Sequence, residues 1–427
     1  MTRPQGTLSI TRTLLRGNVR VLAFTSMMTG TYLSLLNTVL QPFVVKDLGF
    51  SLAILGVLVA VGARPLGIAS SSVQPFTGAL ADILGRKLLI ILGSVVGICS
   101  MLSFLFAAMT HGLLPLSLGY VLLGLSLLGN PAQQAMIAET VEMDPARLNI
   151  AFSAVFFFTA LPGAFIPFAA GYLTQTFGYL LLFAVAAVIE SSNLLVMFTQ
   201  LRETIGKGSE RPAKTFSLRR SVKVPPGLWM IFVPMAMDAT FFGVGGAIIY
   251  GAWADQAGFT NGDIGLIVGT ISVSVVVSQY FATKFLQKVG IRRTLAFSEG
   301  LTVVIMGAWF FTESIPVLIA TSAVFGISVA TWVPSVSSLI MRAAPLEDRA
   351  NIGGMLSFYR GLISAPAPII GGYLSATYGY HLPLAVGIVG EAMTTVALLK
   401  LIPDQPSPIA SPPPISGINN QPARSPP

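Results

Sequence analysis

Gly78 to Lys87 reads GALADILGRK, and it joins two long apolar stretches. Its polar and turn-forming residues fall in a fixed order: Gly78, Asp82, Gly85, Arg86, Lys87. Gly78 lets helices pack closely where Asp82 ends an apolar helix, and Gly85 permits a tight turn into the next. The Asp82 carboxylate suits the N-terminus of a neighbouring helix, where the backbone dipole favours negative charge. Arg86 and Lys87 suit an anchor at the cytoplasmic face of a membrane. The loop therefore reads as a hinge between two membrane-crossing helices, and the rest of the chain has to be consistent with that.

Composition is consistent with it. Apolar residues make up 53% of the 427 residues and charged residues only 10%, with a mean hydropathy of +0.77. A soluble domain carries about a quarter charged residues, so this chain cannot clothe itself in a hydrated surface and lipid is its solvent. A single cysteine, Cys99, excludes an intrachain disulfide and any cysteine-built metal site. The two histidines, His111 and His381, fall in short loops and form no zinc-protease motif. The formal charge of +8 sits beside apolar helices, so membrane topology explains it and nucleic acid does not. Arg3, Arg12, Arg16 and Arg20 lead into an apolar run at 19–45 that is too long for a signal peptide and reads as a retained first helix.

A spanning helix needs about 20 mostly apolar residues. Twelve segments qualify: 19–45, 52–81, 88–110, 113–138, 150–176, 179–201, 227–254, 263–285, 294–312, 315–341, 352–377 and 380–401. With both termini inside, 22 of the 25 basic residues fall on the inner side, leaving Lys46 outside and Arg64 and Arg360 within helices. A missed or invented helix would invert every later loop and spoil this asymmetry. The expected organisation is a six-helix bundle at 1–201, a basic cytoplasmic linker at 202–226, a second six-helix bundle at 227–402 and a Pro/Ser-rich disordered tail at 403–427.

An internal repeat supports that division. Gly171 to Tyr179 reads GYLTQTFGY and Gly372 to Tyr380 reads GYLSATYGY, an offset of 201 residues that also pairs Pro167 with Pro368 and Glu190 with Glu391. Paired halves place a solute site between them near the midplane.

GALADILGRK resembles the loop between helices 2 and 3 of the major facilitator superfamily, G-x-x-x-D-x-x-G-R-K/R, at Gly78, Asp82, Gly85, Arg86 and Lys87. The resemblance implies an all-α fold of two pseudo-symmetric six-helix bundles and solute transport by alternating access. It implies that Asp82 clamps the halves in the outward-open state and that the loop's basic residue pairs with an acid at the inner end of helix 4, here Glu139. The second half keeps a decayed copy, FLQKVGIRR from Phe285 to Arg293, in which Gln287 replaces the aspartate. Helices 5 and 11 resemble the family's antiporter motif, G-P-x-x-G-G, through Pro167 and Gly171 and through Pro368, Gly371 and Gly372. That motif implies export by antiport. Some of the family's drug exporters carry an arginine four residues before a glycine in helix 4; here Gly124 matches and Tyr120 stands at the arginine position. The resemblance also implies a monomer with no cofactor, and a cavity lined by helices 1, 4, 7 and 10.

A charge inside a spanning helix costs about 2.5 to 3.5 kcal/mol, so such residues are functional candidates. They are Arg64, Glu190, Asp238, Glu299, Arg360 and Glu391. Asp238, in the expected seventh helix, is the candidate proton or cation site, and Arg64 is expected either to hold an anionic solute or to pair with an acid. Arg360 is expected at the inner latch near Asp82 or Glu139. Glu190, Glu299 and Glu391 read as structural acids satisfied within their own halves. Tyr32, Asn37, Asn130, Gln134, Phe241, Phe242 and Trp332 are candidate cavity residues.

The expected function is secondary transport, with proton-coupled efflux of a small amphipathic compound ahead of proton-coupled uptake of a metabolite or organic anion. A membrane enzyme or scaffold is the reading of another class; no metal cluster, nucleophile triad or phosphate loop supports the enzyme. The expected setting is the plasma membrane, with lipid, a small solute and protons as partners and no nucleic acid or metal.

Overall fold

The computed structural model describes residues 17–62, 64, 67–141, 145–204, 226–343 and 349–403. The described residues are helical and contain no strand. Most of the expected linker and tail lies outside them, as do Arg3, Arg12 and Arg16.

The first half consists of α1 (Gly17–Pro42), α2 (Leu52–Gly62), α3 (Ile68–Leu84), α4 (Arg86–Thr110), α5 (Leu113–Leu125), α6 (Asn130–Thr140), α7 (Pro145–Ala160) and α8 (Ile166–Gln200). The second consists of α9 (Trp229–Gly245), α10 (Ile249–Gln256), α11 (Asn261–Val289), α12 (Ile291–Phe311), α13 (Ile315–Ala343), α14 (Arg349–Ser364), α15 (Pro366–Tyr378) and α16 (His381–Leu401). Twelve passages are recovered once the breaks are counted. The second passage is α2 plus α3, the fourth α5 plus α6, the seventh α9 plus α10, and the eleventh α14 plus α15. The fifth begins in α7, and the fifth and sixth run together in α8, where Gly178 turns the chain at φ 76°.

The repeat is a repeat of geometry. Gly178 and Gly379 turn at φ 76° and 83°, and Gly85 and Gly290 at φ 96° and 91°. These angles are strained for any side chain with a Cβ, so each pair marks the same corner in its half. Lys46 and the Gly178 and Gly379 corners share one face of the molecule; Gly85 and Gly290 mark the other.

The two halves are fused at the Lys46 face and have separate cores at the Gly85 face. One apolar core runs across both halves, from Tyr32, Phe43 and Phe183 to Trp253, Trp309 and Tyr380. At the Gly85 face the first half packs around Leu22, Ile90 and Met136, and the second around Phe232, Leu295 and Met355. Across the fused face, Lys46 donates to the Phe259 carbonyl at 2.6 Å, Gln41 to the Ala247 carbonyl at 2.8 Å, and Tyr179 to Asn261 Oδ1 at 3.0 Å.

The helix-packing residues read from the sequence form this seam. A Cβ on Gly265 would stand 3.1 Å from the Gly171 Cα, and one on Gly56 would stand 3.1 Å from the Gly372 Cα. The carbonyls of Pro167 and Pro368 complete the two contacts. Gly371 faces inward instead, onto the Val244 carbonyl of its own half. Small residues let backbones touch where lipid offers no hydrophobic drive for helix association.

One departure from the repeat matters for the site. Gly56 and Gly85 are 29 residues apart, whereas their mates Gly265 and Gly290 are 25 apart. The second passage thus has four residues, about one helical turn, that the eighth lacks. The eighth is one unbroken helix, α11, while the second is interrupted ahead of Ile68, where Gly67 is extended. Arg64 lies in that break.

Candidate functional site

A cavity of about 800 Å³ lies between the halves. Of the candidates read from the sequence, Arg64, Asn37, Asn130, Gln134 and Phe242 line it. Gln41, Gln133, Tyr120 and Tyr250 line it as well, and that reading did not single them out for the cavity. The Gln133 amide donates to Ser26 Oγ at 2.9 Å across the cavity wall. Tyr32 reaches the cavity through Arg64, whose Nη1 donates to its hydroxyl at 3.3 Å. Asp238, Arg360, Phe241 and Trp332 are absent from the lining. Trp332 packs against the second half's core at the Gly85 face. Phe241 and Arg360 border a separate groove of about 300 Å³ between α9 and α14.

Arg360 is not at the inner latch where it was expected. Its Nη2 donates to Asp238 Oδ2 at 2.5 Å and its Nε to the Met235 carbonyl at 3.0 Å, both within the second half. The pair is shielded, with side chains 17% and 14% exposed, so each charge depends on the other. Helix geometry explains the placement: 360 is about three turns beyond the start of α14, level with the middle of α9.

Glu299 and Glu391 also stay within the second half. Read separately as structural acids, they join Asp238, with carboxylate oxygens of all three within 4.8 Å of one another. Glu299 is 3% exposed and Glu391 0%. Such closeness between buried carboxylates demands compensating positive charge, and Arg360 supplies one unit. The sequence carried a weak signal for this cluster. Counting from the corner glycines Gly85 and Gly290, Glu299 is the mate of Ser94, as Glu391 is of Glu190. In the first half Ser94 donates to Glu190 Oε1 at 2.6 Å, and Asn193 donates to Oε2 at 3.0 Å. The same two positions therefore meet in both halves.

The loop that opened the sequence reading is held tightly. Arg86 Nη2 lies 3.3 Å from Glu139 Oε1, the pairing expected of the loop. The carboxylate at the N-terminus of α4 belongs to Glu203. Its Oε1 accepts from the Arg86 amide at 3.1 Å and its Oε2 from the Lys87 amide at 3.0 Å. A negative charge there satisfies orphan amides and complements the dipole. Sequence reasoning assigned 202–226 to a linker and missed this cap. Its one signal was an acid directly after the sixth passage in a predominantly basic stretch. A Cβ on Gly85 would come within 2.7 Å of Glu203 Oε2, a second reason for glycine there. Thr204 donates to Glu139 Oε2 at 2.5 Å, Asn18 donates to the Arg202 carbonyl at 2.8 Å, and Lys87 Nζ donates to the Phe198 carbonyl at 2.8 Å. Asp82 and Gly78 fall on α3, but the Asp82 side chain and its expected clamp lie outside the described residues.

Two pseudo-symmetric helical halves around a central cavity, with a charged hinge loop in the first, define a class of membrane transporter. The chain matches the family model for the Major Facilitator Superfamily over residues 22–365 and 235–425, and it belongs to that family. It is thus a secondary transporter that works by alternating access. It is 26% identical over 324 residues to multidrug resistance protein MdtG of Dickeya zeae, covering 73% of this chain and 76% of that protein. It is 25% identical over 340 residues to a multi-drug resistance efflux pump PmrA homolog of Lactococcus lactis, covering 77% and 80%. Among solved structures, nucleoside transporter NupG superposes with a TM-score of 0.70 at 13% identity, over 90% of this chain and 98% of that one, a likeness of fold alone.

Proposed function

We propose that this chain is a monomeric exporter of small amphipathic compounds, driven by protons flowing the other way. The Gly85 loop and both termini face the cytoplasm, following the basic residues. The observation that carries this reading is the cavity: largely apolar, edged by amides and aromatic residues, and sealed toward the Lys46 face by the glycine seam. A cavity closed on the outside belongs to the state that loads a cytoplasmic solute. Drug-efflux relatives named for that activity support the direction. The buried Asp238 is the candidate proton carrier, because a carboxylate paired to Arg360 changes its hold on that arginine when protonated.

Inverted membrane vesicles containing the chain test the proposal. A proton gradient, acid inside, is established and a panel of amphipathic compounds is added. Collapse of the gradient by a subset of compounds, abolished by Asp238→Asn, is the expected result. Compounds that bind without moving protons would remove proton coupling, and accumulation in right-side-out vesicles would reverse the direction.

A further inference from the structure

Among the described residues lining the central cavity, Arg64 is the one charged side chain. The intramembrane acids are held elsewhere. Asp238 is engaged by Arg360, Glu299 and Glu391 sit with it, and Glu190, within electrostatic reach of Arg64 but outside the lining, accepts from Ser94 and Asn193. A solute entering the cavity therefore meets a positive charge and no negative one.

The surroundings of Arg64 add to this. The break in the second passage exposes a second N-terminus inside the protein, that of the 17-residue α3. Its N-cap is Gly67, which is extended at φ −65° and ψ 158°, and no side chain caps it. Gly67 lines the cavity. The first amides of a helix lack intrahelical acceptors and favour an anion, and broken transporter helices present such ends to acidic solutes.

Tyr120 supplies an independent sign. It lines the same cavity, is 2% exposed, and its hydroxyl has no hydrogen-bond partner among the described residues. A buried hydroxyl left unpaired is costly and calls for a partner. Packing puts it at the break. A Cβ on Gly62 would lie 2.7 Å from the Tyr120 Cβ, and Gly124, one turn further along α5, packs on Ala69 and Ser70 at the start of α3. Tyr32 accepts from Arg64 and so keeps its own O–H to donate.

We infer that the break in the second passage is an anion site, and that the solutes carried are amphipathic acids. A carboxylate, phosphonate or sulfonate sits between Arg64, Tyr32, Tyr120 and the start of α3, and its apolar body lies against the cavity wall at Leu36 and Phe242. The four extra residues of the second passage are what create the site, which explains why the unbroken α11 has no counterpart. This rests on the cavity being the transport site.

Binding to the full-length chain in lipid nanodiscs, at neutral pH, tests the inference with three matched probes. They are naphthalene-2-sulfonate, its neutral sulfonamide, and trimethyl(2-naphthyl)ammonium. The sulfonate is expected to bind at least about tenfold more tightly than the ammonium, as a charge-assisted contact implies. Arg64→Gln is expected to remove that preference and leave the sulfonamide within about twofold. Tyr120→Phe keeps the ring and its packing, so it covers the case in which Arg64→Gln fails to fold; it should weaken the sulfonate alone, by about threefold. Equal or tighter binding of the ammonium, uniform weakening of all three probes, or no binding by any of them overturns the inference. Sulfonate binding without proton movement in vesicles would overturn proton-coupled export and leave the anion site standing.

Discussion

Glu190 and Glu391 occupy the same place in the two halves and live in different surroundings. Glu190 accepts from a serine and an amide. Glu391 has a glutamate, Glu299, where its mate has the serine, so the group facing its carboxyl is a second acid. The first-half arrangement puts neutral donors on a single acid, with Arg64 as the positive charge within electrostatic reach. The second-half arrangement puts carboxylates together and depends on Arg360 and on protons for balance. Both halves keep the buried acid at the same position, and the second half has the carboxyl of Glu299 where the first has the hydroxyl of Ser94. The comparison suggests a division of labour: proton handling in the second half and solute recognition, at Arg64, in the first.

The largest effect should follow from removing charge balance in the second half. Asp238→Asn leaves Arg360 buried without its counter-ion and is expected to cost about 3 to 5 kcal/mol. Loss of melting temperature in nanodiscs reads it out, and a variant as stable as the parent would mean that Arg360 finds another acid in the cluster. Next comes Glu299→Ser, which rebuilds the first-half pattern in the second. The fold should persist, with exchange of solute down its gradient retained and the response to a proton gradient reduced about tenfold or more. An unchanged proton response would remove Glu299 from coupling.

Glu203→Ala strips the cap from α4 in the first half and should cost about 1 kcal/mol, seen as a lower melting temperature. Glu203→Gln, which keeps one accepting oxygen for one of the two amides, should recover part of that. The smallest effect is expected for Glu190→Gln, which keeps an acceptor for Ser94. A loss of about 1 kcal/mol or less, with proton-driven transport intact, would confirm that the first-half acid is structural. Abolished transport there would make the halves equivalent and undo the comparison.

Much of the architecture was legible beforehand because membrane folding imposes strong one-dimensional rules. The length of an apolar run, the side on which Arg and Lys accumulate, and the spacing of GYLTQTFGY from GYLSATYGY all act along the chain. Arg86 with Glu139 was legible through the loop's resemblance. Other features were not. The four-residue difference between passages shows only after Gly56 is seen against Gly372 and Gly265 against Gly171. Arg360 was assigned to the wrong partner because the facing of two helices depends on their rotation about their own axes, which periodicity along one helix does not specify. Glu203 was hidden because an isolated acid in a basic stretch has no pattern to mark it.

Hydropathy, charge asymmetry and the repeat were enough to establish twelve passages, two related halves and a loop of transporter type, because lipid forces every passage to be a helix of a certain length and every loop to a side. Which buried charges meet was settled by packing alone. Asp238 with Arg360, Glu299 with Glu391, and Arg64 with Tyr32 are contacts between segments far apart in the chain. Their distances depend on how closely glycines let the backbones approach and how each helix is turned, neither of which is written in any local stretch of residues.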